Sequence, residues 1–160
     1  MATDTLTFDN TKRVLADYAD VLVQVYRQAL ANKGKNASYE LSNSIRPQVR
    51  QDSNNLYVEL RLLDYWYYVE YGRSKGKKQP PLDVIEEWVR IKPVKPKNGK
   101  KISNSSLAFL IGRAIARRGI RPTHLLRTSN RAVYTQFKER ISEALAKDIG
   151  SAIPSVKLLL

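Results

Sequence analysis

Cysteine is absent from this 160-residue chain, and histidine occurs once, at His124. The first absence removes disulfides, thiolate metal sites and cysteine nucleophiles together. The second leaves no His/Cys cluster for a metal and only a formal Ser/His/Asp possibility, with no serine in a recognisable nucleophile motif. A lone histidine beside Pro122 and Thr123 reads as a helix-start or interface residue. No apolar run approaches the roughly 20 residues that span a bilayer. The opening MATDTLTFDN is polar and acidic, without the basic-then-apolar order of a secretory leader. A soluble protein made in the cytoplasm, with no membrane partner, is expected.

Catalytic signatures are equally thin. GRSKGKK, from Gly72 to Lys78, glances at a phosphate-binding loop, but its glycines stand one residue too close and Lys78 replaces the magnesium-binding Ser or Thr. Glu86 and Glu87 are adjacent, so on a helix they diverge by about 100° and do not form a facing acid pair. No catalytic residue, metal, cofactor or small-molecule substrate is expected.

What the chain has in excess is positive charge. Net charge is +13, which favours a polyanionic partner. Up to Pro80 there are twelve Lys or Arg against nine Asp or Glu, net +3; from Pro81 onward sixteen stand against six, net +10. Between Ile91 and Asn130 there is no acid at all. Lys92, Lys95, Lys97, Lys100, Lys101, Arg113, Arg117 and Arg121 from that window are the candidates to face DNA or an acidic protein.

The length suits one domain, able to bury roughly 70% of the surface its unfolded chain exposes. Leu15, Tyr18, Ala19, Leu22, Val25, Tyr26 and Ala29 recur at helical spacing and predict a long helix from about Asn10 to Asn32, closed near Gly34. A helical turn is expected at Tyr39–Ser44. Alternation over Ile45–Gln51 and Leu56–Leu62, around the DSNN turn, predicts a β-hairpin whose first strand, because of Pro47, lies at an edge or carries a bulge. Asp64 is expected to cap a short helix through Tyr71. A helix over Pro81–Arg90 follows, with Leu82, Ile85, Trp88 and Val89 in one stripe. Another over about Ser105–Arg118 is expected to bury Leu107, Leu110, Ile111, Ala114 and Ile115. Thr123 is expected to cap a final long helix with Leu126, Val133, Phe137, Ile141, Leu145 and Ile149 inward. The lysine-rich segment of about 92–104 is expected to be mobile, and the tail 154–160 to add a strand to a neighbouring subunit or fold back. The fold class is thus α+β: a long N-terminal helix, a small antiparallel sheet with a hairpin, and two or three further helices, one long and C-terminal, in one domain over residues 1–160.

YWYYVEY, from Tyr65 to Tyr71, packs five aromatic rings into seven residues. Stacking on nucleic-acid bases calls for rings spaced along an open sheet or groove, whereas these are contiguous on a helix. One of Trp66 and Tyr68 is expected to pack on the hairpin face of Leu56, Val58, Leu60 and Leu62. The outer rings suit contacts between subunits.

The hairpin, the aromatic turn Tyr68-Val69-Glu70-Tyr71-Gly72, the basic loop and the Gly-Ile-x-Pro start of the last helix at Gly119–Pro122 together resemble the head-tail joining and tail completion proteins of tailed bacteriophages, including tail terminators. The likeness runs from the first helix to about Ile149; the tryptophan helix of Pro81–Arg90 and the lysine-rich segment depart from it. It implies a non-catalytic virion protein of the neck, forming a homo-oligomeric ring around the DNA channel beside portal, connector or tail proteins. Tyr65, Trp66, Tyr67, Tyr71, Val156, Leu158, Leu159 and Leu160 are the subunit-interface candidates. The alternative is a stand-alone basic DNA- or RNA-binding protein.

Overall fold

The computed structural model describes residues 7–35, 39–53, 55–91 and 101–152. Among them run α1 (Asp9–Asn32), α2 (Glu40–Ser44), β1 (Arg46–Gln51), β2 (Leu56–Arg61), α3 (Trp66–Tyr71), α4 (Leu82–Ile91), α5 (Asn104–Arg118) and α6 (Leu125–Ala152). This is the expected α+β class, with a long helix at each end of the order. Lys92, Lys95, Lys97, Lys100, Val156, Leu158, Leu159 and Leu160 lie outside the described residues. No helix among the described residues is long and apolar enough to cross a membrane.

Contacts divide the chain into two units. The first comprises Met1–Tyr26, Arg46–Arg61 and Thr128–Leu160. Within it the early part of α1 lies antiparallel to the late part of α6, because partners rise in number along one helix as they fall along the other. Thr11 meets Asp148, Asp17 meets Arg140, and Tyr18 meets Phe137. The Tyr18 ring stands edge-on to Phe137 at 5.7 Å and 78°, and its hydroxyl donates to Asn130. Burial, then the nearby Tyr134, push the Tyr18 phenol above its ordinary value. Arg140 pairs with Asp17 at 2.8 Å and lies 4.7 Å over the Phe137 ring, joining an ion pair to a cation–π contact.

Burial on α6 differs from the expected row. Leu125, Ser129, Val133, Phe137, Ala144 and Asp148 are buried, while Leu145 and Ile149 are exposed. A strict four-residue repeat drifts by about 40° per step around a helix of 3.6 residues per turn, so it cannot face one neighbour for 28 residues. The step of three from Ile141 to Ala144 returns the row to its partner. On α1, Val25 is likewise exposed, and Val23 and Leu30 are buried in the inner row.

Asp148 reaches the inner row because it caps α1. Its carboxylate accepts from the Asn10 and Thr11 backbone amides at 3.1 and 2.8 Å, and from their side chains at 2.8 and 2.6 Å. Those amides open a helix and have no intrahelical acceptor. Burial pushes the Asp148 carboxyl up, but the four hydrogen bonds outweigh it and hold it at about 2, against an ordinary 3.8. A depressed carboxylate stabilises the fold above its unfolded pKa, and that contribution is lost as pH falls through the folded one. The stability gap between wild type and Asp148→Asn is therefore expected to be full at neutral pH and to close between about pH 4 and about pH 2. Urea midpoints across that range check this; a gap that stays constant to pH 2 would refute it.

The hairpin pairs Arg46 with Arg61 through Gln51 with Leu56. Its turn is closed by Asp52, whose amide donates to the Asn55 carbonyl at 3.0 Å and whose carboxylate accepts from the Asn55 amide at 2.7 Å. Pro47 faces Leu60; in a two-stranded sheet both strands are edges, which tolerate a missing N–H. Glu59 pairs with Arg50 and stands 3.7 Å from Arg61.

The second unit comprises Arg27–Ile45 and Leu62–Arg127. Here the Arg27 side chain donates to the Ser42 carbonyl at 2.9 Å, and the Leu63 amide to the Ser44 hydroxyl at 3.2 Å. α4 and α5 pack through Ile85, Val89, Leu107 and Ala108, with Ile111 and Ile115 alongside. Ser103 caps α5, accepting from the Ser106 amide at 3.1 Å. Leu110, expected inside, is 51% exposed, whereas Ala108 and Gly112 are buried. Small residues on the inner row let α4 approach. A Cβ at Gly112 would lie 3.0 Å from the Ile85 Cδ1 and 2.6 Å from the Gln79 side chain.

Candidate interaction surface

α3 is a helix of six residues with no side-chain cap at its start. The expected Asp64 cap is replaced by tight backbone turns, Trp66 N–H to Leu63 at 2.9 Å and Tyr68 N–H to Tyr65 at 3.0 Å. Gly72 ends it at φ 72° with its amide on the Tyr68 carbonyl. One face of so short a helix turns inward, and Glu70 and Val69 hold it. The four tyrosines, Tyr65, Tyr67, Tyr68 and Tyr71, are exposed. Of the two rings of which one is expected to form core, Tyr68 is 48% exposed and so is not core, while Trp66 is half-buried.

Glu70 is 1% exposed because it does for α6 what Asp148 does for α1. Its carboxylate accepts the Leu126 and Arg127 amides at 2.8 and 3.0 Å, and its carbonyl accepts the Thr123 and His124 amides, each at 3.1 Å. Thr123 is thus not the cap of α6; its hydroxyl donates to the Val69 carbonyl at 2.6 Å. His124 stands immediately before α6 at φ 51°.

Just past Gly72, Arg73 forms an isolated antiparallel bridge with Ile120 through amide-to-carbonyl bonds of 2.9 and 2.8 Å. Gly72 and Gly119 flank it, both at positive φ. The YVEYG segment and the Gly-Ile-x-Pro segment, 47 positions apart by their glycines at 72 and 119, are therefore the two halves of one clasp. The Gly76 amide adds a bond to Ala116 at 2.8 Å.

On this clasp sits a connected aromatic surface. Tyr67 and Tyr71 lie 4.9 Å apart, Trp66 stands edge-on to both at 6.3 and 6.1 Å, Tyr68 lies 6.0 Å from Tyr67, and the His124 ring closes on Tyr71 at 6.4 Å. Tyr65, Tyr67 and Tyr71 are exposed. Edge-to-face contacts hold the rings against one another, so the surface is ordered as well as open.

Of the described cationic candidates, Lys101, Arg113, Arg117 and Arg121 are all exposed. Arg113 and Arg117 lie one turn apart on α5. Arg121 belongs instead to the connector, its backbone packed against Gly72, so it accompanies the aromatic surface and not the α5 pair. Glu70 and Asp148 escaped the sequence reading; the one available signal was an acid in phase with an apolar row. Among the described residues no group of three His, Cys, Asp or Glu is placed to hold a metal. Compared with protein-family models, curated proteins and solved structures, the chain matches none of them.

Proposed function

We propose that this chain is a non-catalytic structural subunit of the neck or tail of a tailed-phage virion, assembling as a homo-oligomeric ring in head-tail joining or tail completion around the DNA channel. The observation that carries the reading is the aromatic surface. Four exposed tyrosines beside a half-buried tryptophan are amphipathic area of the kind enriched where proteins meet, and a rigid clasp positions them at low entropic cost on association. The meeting of the two segments on which the phage resemblance rests adds support, since a shared clasp gives both a common physical reason. The surplus positive charge suits a ring whose lumen passes DNA or whose neighbour is acidic. Portal, connector or tail proteins would be its neighbours in the virion.

Sedimentation and negative-stain imaging of the purified chain test this, with closed rings as the expected result. Tyr67→Ala with Tyr71→Ala is expected to weaken assembly while lowering stability by only about 0.5–1.5 kcal/mol, the worth of their ring contact. The exposed arginines favour one rival, a stand-alone nucleic-acid-binding protein. A chain that stays monomeric at every concentration and binds short duplexes tightly, with a steep salt slope, would replace the ring reading with that one.

A further inference from the structure

The α4–α5 pair packs through its inner rows, and its two outer faces consequently lie on opposite sides of the pair. Each outer face is half apolar and half charged, and the net charges are of opposite sign. At about 100° per residue, the outer arc of α4 carries Arg90, Asp83 and Glu87, then Ile91 and Val84, with Trp88 at its far edge, so its acids outnumber its one cation. All six are exposed, Val84 at 60%. The outer arc of α5 carries Phe109, Arg113, Arg117 and Leu110, again all exposed. Asp83 and Glu87 are one turn apart, as are Arg113 and Arg117. None of these four makes an ion pair with another described residue. Phe109 and Leu110, with Ile102 and Leu82, also line an open depression of about 430 Å³.

We infer that the outer face of α4 on one copy docks on the outer face of α5 on the next, with Asp83 and Glu87 against Arg113 and Arg117. The inference rests on the ring reading and assigns it a subunit contact. The occupant is a second copy of this chain because the two faces complement each other in sign, in the one-turn spacing of their charges and in their apolar area. They also lie on opposite sides of one helical pair. A contact between two different patches is head-to-tail, and repeated it closes a ring when the rotation between copies permits. Trp88 is the large anchor such an interface centres on, and the depression beside Phe109 is the place to receive it. The α5 arginines are then spent on the neighbouring subunit, which leaves the channel to other cations.

Charge reversal provides the test. One variant carries Asp83→Arg and Glu87→Arg, the other Arg113→Glu and Arg117→Glu. Each alone sets like charges face to face and is expected to weaken self-association on the order of a hundredfold or more, while circular dichroism shows an unchanged fold. Mixed in equal amounts, the two restore opposite charges at every contact and are expected to assemble as alternating copies. The chain carrying all four reversals is expected to assemble alone. Reversed variants that assemble like wild type, or a mixture that stays dissociated, would overturn the inference while leaving the ring reading standing. A wild-type chain that never assembles would overturn both.

Discussion

Glu70→Ala is expected to cost roughly 3 kcal/mol, the loss of two part-buried hydrogen bonds to a charged acceptor at about 1.5 kcal/mol each. The Leu126 and Arg127 amides lose their shared carboxylate at 2.8 and 3.0 Å, that of a residue only 1% exposed. Two amides lose a charged partner at once, which places this substitution above an ordinary surface cap. Against a net stability of about 5–15 kcal/mol for a domain, the loss is large, and at about 2–4 °C per kcal/mol it lowers the melting midpoint by roughly 10 °C. Glu70→Gln keeps the shape but offers one acceptor and turns a donor toward the second amide, so it recovers only part of the loss. Urea unfolding of both variants measures this; an alanine variant within about 0.5 kcal/mol of wild type, the range of a neutral surface change, would show that the carboxylate does not hold α6.

How much of this could be read from the chain beforehand follows from how local each cause is. The helices and hairpin announce themselves through short-range periodicity and turn chemistry: Gly72 and Gly119 close α3 and α5 at positive φ, and Asp52 with Asn55 closes the hairpin. Burial phase was less legible. It depends on which neighbour a helix meets, and Leu110, Leu145 and Ile149 are apolar residues that lie on the wrong side of theirs. Ala108 and Gly112 show the converse, since small residues carry little hydrophobic signal yet set how closely α4 and α5 pack. Least legible were the caps. A local cap is sought within a few residues of a helix start, whereas Asp148 serves Thr11 from 137 residues away and Glu70 serves Leu126 from 56. The aromatic segment was legible as a contiguous block of rings. That its four tyrosines are exposed follows from Glu70 occupying the inward face, which escaped the sequence reading.

Gly72→Ala is expected to be comparably damaging, on the order of 2–5 kcal/mol, from backbone strain of about 1–2 and overpacking of about 1–3. At φ 72° any Cβ is strained, and here it would sit 2.7 Å from the Pro122 nitrogen and closer yet to the Ile120 carbonyl oxygen. Both are backbone atoms of the opposite strand of the clasp and cannot rotate aside, so relief requires opening the Arg73–Ile120 bridge. Gly76 supplies the control: its φ is 78°, but nothing lies within 4 Å of its would-be Cβ. Gly76→Ala should therefore show the strain alone, about 1–2 kcal/mol. Gly119→Ala meets the Arg73 carbonyl and, at 3.0 Å, the Lys75 nitrogen, and is expected to resemble Gly72→Ala. Because either substitution already opens the shared bridge, the double variant should cost less than the two singles together, as coupled neighbours do. The clasp also carries Tyr71 and His124, so both variants are expected to lose assembly well below their melting midpoints, whereas Gly76→Ala should keep it. Thermal and urea unfolding beside sedimentation decide the matter: a Gly72→Ala chain no less stable than Gly76→Ala, and still forming rings, would mean that the clasp is neither tight nor the support of the aromatic surface.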